Sequence, residues 1–111
     1  MELTVSPINS CDLVVITGRI DSFTSPELSA KLTQLIENNR YKIILDLGGV
    51  IFISSAGLRI LIELQKKCKK DNQGEVLLVN TPARVCETLE LTGFLTFFNL
   101  YTDVSSAVEA F

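Results

Sequence analysis

The side chains best placed for chemistry are two adjacent hydroxyls. Ser54 and Ser55 stand between an apolar run, Val50 to Ile53, and a helical pattern that opens with Ala56, Gly57 and Leu58. A helix start gathers free backbone N–H groups and the positive end of the helix dipole. Serine is favoured there as an N-cap, because its oxygen accepts one of those N–H groups. One of the two serines can do this and nothing else. The other chemistry open to the site is phosphorylation. A phosphoryl group brings about −1.5 to −2 charge, which a helix N-terminus accepts. It leaves the domain folded yet blocks a partner by size and charge. Residue types alone favour capping and leave the phosphoacceptor reading open.

Enzyme readings of the same residues fail. The chain has no histidine, so no Ser-His-Asp or Cys-His arrangement and no imidazole base can be assembled. A nucleophile elbow needs a glycine two residues before its serine, and neither Ser54 nor Ser55 has one. A P-loop needs a Gly-Lys pair, which the chain lacks. Asp21 and Asp46 each lie near a strand end and could share an edge as paired carboxylates. Strand-end aspartates more often serve turns and caps, so a surface role toward a basic partner is the better reading. Lys66, Lys67, Lys69 and Lys70 form a basic run, which complements the negative end of a helix without making a nucleic-acid or lipid site. Val50, Ile51 and Phe52 are either an apolar docking surface beside Ser55 or core, and short apolar runs are core by default.

Composition narrows the class further. The chain has 111 residues and a net charge of −3, which disfavours binding through nucleic-acid phosphates. Its length makes one domain, spanning 1–111, with a folded surface near ~6,100 Å². The hydrophobic fraction is 47% and the mean hydropathy +0.33, as in a compact aliphatic domain. No apolar run approaches the ~20 residues of a membrane span, and the amino end lacks the pattern of a signal peptide. Cys11, Cys68 and Cys86 are odd in number, with no CxxC spacing. They read as buried or free thiols of a reducing, cytoplasmic compartment, and no metal or cofactor is expected.

The elements that must position the serines follow from patterning. Leu3 and Val5 mark a short strand, with turn chemistry from Pro7 to Ser10. Leu13 to Ile20 is a second strand, antiparallel to the first, with a bulge or close approach at Gly18. A helix opens at Thr24 to Glu27. Either Ser25 caps it with Pro26 at the first helical position, or Thr24 caps it with Glu27 closing a capping box. Ile43 to Leu47 is apolar on both faces, as in a central parallel strand, and Gly48-Gly49 breaks it. The next helix runs from the serines to about Lys70, with its amino end in the core and its carboxyl end in water. Glu75 to Asn80 is a buried strand. Thr81-Pro82 opens a helix that Gly93 stops. Thr96 to Tyr101 is an aromatic strand, and Thr102-Asp103 caps a last helix whose inner face is Val104, Ala107, Val108 and Phe111. This order predicts an α/β fold: a mixed four- or five-stranded β-sheet covered by about four helices.

The whole chain resembles a STAS domain of the anti-sigma factor antagonist type. Gly18-Arg19-Ile20-Asp21 is similar to that family's G-x-[LI]-D, and Ile43 to Leu47 to its central strand. Ile53-Ser54-Ser55-Ala56-Gly57-Leu58 is similar to its phosphorylation loop, iDSSGL. The segment from Thr92-Gly93 to Ala107-Val108 is similar to its closing stretch. The resemblance implies a partner-switching protein and not an enzyme. The unmodified form would bind an anti-sigma factor serine kinase of the histidine-kinase-like ATPase class and so release the sigma factor. Phosphorylation of Ser55 would end that interaction, and a PP2C-type serine phosphatase would restore it. By position, Ser55 matches the phosphoacceptor, with Ser54 as the alternative. Asp21, Ser54, Ser55, Ala56 and Gly57 would form the partner-binding surface. Two positions depart from the pattern: Ser54 stands where the family often has aspartate, and Ala56 where it often has serine or threonine. A rival within the same fold is a STAS subunit or regulator of a transporter or stressosome-like complex, in which the serine is only a cap.

Overall fold

The computed structural model describes residues 1–111. Two strands, β1 (Glu2–Ile8) and β2 (Cys11–Ile20), form an antiparallel hairpin. Its turn is only Asn9-Ser10, with Asn9 at φ 53°, a conformation asparagine tolerates better than most residues. Pro7, expected in the turn, instead lies in β1 opposite Asp12. An edge strand accepts proline because one of its sides has no ladder partner.

From β2 onward the chain winds in parallel. It continues through α1 (Ser25–Glu37), β3 (Lys42–Ile53), α2 (Ser55–Lys69), β4 (Glu75–Val79), α3 (Ala83–Leu91), β5 (Asn99–Tyr101) and α4 (Val104–Glu109). The sheet has five strands in the order β1-β2-β3-β4-β5, with all pairs after the hairpin parallel. Side-chain alternation divides the core between its faces. Val14, Ile16, Ile43, Leu45, Leu47, Val76 and Leu78 meet Leu28 and Leu32 of α1, Leu58, Leu61 and Leu64 of α2, and Val85 and Leu89 of α3. On the other face Cys11, Ile44, Leu77 and Val79 meet Ala107, with Val104, Val108 and Phe111 packed around them. The accessible surface is 6081 Å², the value expected for a folded chain of this size. No helix is long and apolar enough to cross a membrane.

Four local expectations are corrected. Gly48-Gly49 does not break β3, which runs through both residues. A Cβ on Gly49 would lie 2.6 Å from Thr17 Cγ2, so glycine there lets β2 and β3 approach. The pairing shifts register on either side of Gly18, whose φ is +90°. The carboxyl half of α2 is not left in water: Leu64, Gln65 and Cys68 are buried. The Gln65 amide donates to the carbonyls of Val76 and Phe97 at 3.1 and 3.0 Å and accepts the Val76 N–H at 2.7 Å. Thr81 does not cap α3. Pro82 holds that place, with no side-chain cap, and the buried Thr81 hydroxyl has no partner. The aromatic strand is reduced to Asn99–Tyr101, because Leu95–Phe97 forms a 3₁₀ turn. A strand would send Phe97 and Phe98 to opposite faces. The turn brings their ring centroids to 5.8 Å, edge to face.

Candidate functional site

Ile20 and Ile53 are paired at the carboxyl ends of the adjacent parallel strands β2 and β3. The residues that follow them, Asp21 and Ser54, are thereby neighbours at one edge of the sheet. The Ser54 N–H donates to the Ile20 carbonyl at 2.7 Å. The Ser54 hydroxyl accepts the Gly57 N–H at 3.2 Å, and its carbonyl accepts the Leu58 N–H at 2.9 Å. With extended backbone, φ −85° and ψ 170°, Ser54 is the N-cap of α2. Gly57 is buried under this turn, where a Cβ would collide with Ile20 Cγ2 and lie 3.2 Å from Ile53 Cγ1. Its contribution is close packing. Ala56 is half-buried.

Ser55 differs from its neighbour in every respect that matters for modification. It is the first residue of α2 and exposed. Its hydroxyl takes part in no hydrogen bond, and the residue lies in the first turn, where helix N–H groups are free.

Asp21 shapes the adjoining turn. One carboxylate oxygen accepts the N–H groups of Phe23 and Thr24, both at 3.0 Å. The Thr24 N–H bond, above all, holds the Asp21 carboxyl below the usual carboxylate range, helped by Phe23, the Thr24 hydroxyl and Arg19. Thr24 Oγ1 accepts the Asp21 N–H at 2.9 Å and donates to the Arg19 carbonyl at 3.0 Å. The Ser25 hydroxyl donates to the Asp21 carbonyl. Neither expected cap of α1 therefore forms. Thr24 holds the N-cap place without a side-chain cap bond, and the Asp21 carboxylate satisfies the turn instead. No hydrogen bond links Asp21 to either serine.

Asp46 does not join this group. It lies seven residues before Ile53 in β3, opposite Val15 and Val79. Its carboxylate accepts the Gly48 N–H at 3.0 Å and the Asn80 amide at 3.4 Å. Each aspartate thus serves its own turn, and no carboxylate dyad forms.

The apolar run before the serines is divided. Val50 is buried, Phe52 is half-buried, and Ile51 is 62% exposed. Phe52 is covered by the Arg19 guanidinium, 4.4 Å from the ring centroid, and not by α1. Sequence reasoning missed Phe23, 91% exposed beside Asp21. It also missed Asp12, buried with its carboxylate 2.7 Å from Arg40 Nε. Asp12 left no signal, since an acidic residue near a strand start usually faces water.

The site is thus an exposed serine at the head of a crossover helix, at one edge of a mixed sheet. The model of the STAS domain family matches residues 4–107, and the chain belongs to that family. It is 32% identical, over 100% of its length and 95% of the relative's, to BtrV of Bordetella bronchiseptica, a protein assigned by name to the anti-sigma factor antagonists. The crystal structure of an anti-sigma factor antagonist from Mycobacterium paratuberculosis superposes with a TM-score of 0.83 at 27% identity, covering 98% of this chain and 92% of that one. SpoIIAA of Bacillus shares the fold at 14% identity, with TM-scores of 0.82 for its unphosphorylated form and 0.76 for its phosphorylated form. Each covers 98% of this chain, and 95% and 98% of the SpoIIAA chains.

Proposed function

We propose that this chain is an anti-sigma factor antagonist controlled by phosphorylation of Ser55. Unmodified, it binds an anti-sigma factor that is also a serine kinase, and the sigma factor is released. Phosphate on Ser55 ends the interaction, and a PP2C-type serine phosphatase restores it. The chain itself catalyses nothing and acts in the cytoplasm. The observation that carries this reading is the division of labour between the two serines: Ser54 is committed to capping α2, while the Ser55 hydroxyl is exposed and unbonded. The names of BtrV and of the mycobacterial antagonist support it. SpoIIAA supports it too, since that protein keeps the fold with and without phosphate.

The physics is that of a surface charge. A phosphoryl group on Ser55 gains from the positive end of α2, by about 0.3–1 kcal/mol at an exposed position. It therefore leaves the domain folded and acts on the partner by repulsion and bulk. A pull-down with the unmodified protein retrieves the kinase, and incubation of the two with ATP, followed by mass spectrometry, locates the label. We expect it on Ser55. Label on Ser54 alone, or none, overturns the proposal. Ser55→Glu weakens binding and Ser55→Ala does not; equal affinities by calorimetry would count against the switch. Ser54→Ala lowers stability by about 1 kcal/mol through loss of the cap, while Ser55 remains a substrate.

A further inference from the structure

β3 is longer than the strand beside it. It pairs with β4 only from Lys42 to Asp46, while β2 accompanies it to Ile53. From Leu47 onward its other edge faces α3 instead of a strand. Between the two lies an open hollow of about 280 Å³, lined by Ile51, Phe52, Ile53, Arg84, Val85 and Thr88. Val85 and Ile53 form a buried floor. Ile51 stands at the rim, 62% exposed, two residues from the end of the strand that leads to Ser55. Arg84, on the first turn of α3, is exposed and forms no ion pair. Arg19, at the end of β2, is already stacked on Phe52 and 3.8 Å from Asp21. An exposed branched apolar side chain thus stands over an apolar hollow, beside an unpaired guanidinium.

We propose that this shelf is a second docking point for the kinase, and that it determines which kinase is accepted. The inference rests on the partner-switching reading above. The matching element is a large apolar side chain that enters the hollow against Ile51, with a carboxylate close by in the same segment to meet Arg84. Such an apolar anchor beside a charge pair is the usual make-up of an interface hot spot. The charge pair adds selection against partners with a basic residue there. Ser55 then decides whether the complex persists, and the shelf decides with whom it forms.

The test titrates the kinase retrieved by pull-down into the full chain by calorimetry. Ile51→Ser and Arg84→Glu are each expected to weaken binding by at least ten-fold. Leu91→Ser, at an 88% exposed residue at the far end of α3, leaves it unchanged and serves as the control. Both shelf residues are on the surface, so thermal melts of the variants should match the parent. If both variants bind within two-fold of the parent while Ser55→Glu has lost binding, the shelf is refuted and the switch stands. If Ser55→Glu binds like the parent while Ile51→Ser is weakened, the switch is refuted and the shelf stands. A parent protein that does not bind the kinase at all overturns both.

Discussion

Asp21 shows how much a single side chain decides here. Its carboxylate accepts two backbone N–H groups at the head of α1, a bond pattern that favours the ionised form. Its folded pKa therefore lies below the ~3.9 of an unstructured aspartate. The stability this contributes is present above that unfolded value and is lost as pH falls through the folded one. Carboxyl-carbon NMR should give Asp21 a titration midpoint below ~3.9, and Asp21→Asn should flatten the acid limb of the stability curve. A midpoint at or above the unstructured value would show that the turn does not rely on the charge. Sequence placed Asp21 at a strand end, but residue types could not separate Ser54 from Ser55, since both are equally good caps; only the family resemblance favoured Ser55. What separates them is the Ile20 carbonyl, which holds the Ser54 N–H and is supplied by a strand thirty-odd residues away.

Among the elements, α2 is tied to the sheet by a buried polar side chain. Its Gln65 is fully buried and hydrogen-bonds both the N–H and the carbonyl of Val76. β5 begins to pair with β4 only at Leu77, so the Gln65 amide supplies the ladder bonds that a longer β5 would have made. Gln65→Leu strands the Val76 N–H and should cost about 1–3 kcal/mol in urea unfolding; an unchanged midpoint would show that water replaces the amide. The strand and helix order was legible in the sequence because apolar periodicity is strong in β2, β3, β4 and α1. It misled where composition and contact disagree. Gln65 looks like a solvated residue beside a lysine-rich turn, yet one face of that turn meets the sheet. Phe97 and Phe98 read as strand by propensity, but their rings pack edge to face beside a 3₁₀ turn. Propensity gives way there to ring packing and to the distant Gln65 amide, which holds the Phe97 carbonyl.

Across the whole molecule, the two faces of the sheet each bury one cysteine. Cys68 lies among four lysines in sequence, which by charge alone would favour the thiolate. Burial outweighs them and pushes its thiol up to about 12. Burial, and then the neighbouring Asp12, raise Cys11 as well. In the native protein at neutral pH, a disulfide reagent should therefore titrate only the half-exposed Cys86, and all three thiols only after unfolding. Early reaction of Cys68 would show that α2 lifts from the sheet. The anchoring of Ser54 at both its N–H and its hydroxyl has a kinetic corollary. Under the proposed switch, the kinase would meet a turn already hydrogen-bonded in place at Ser54. Bare and modified forms should then be met at similar rates, and the difference between them should be read in the lifetime of the complex.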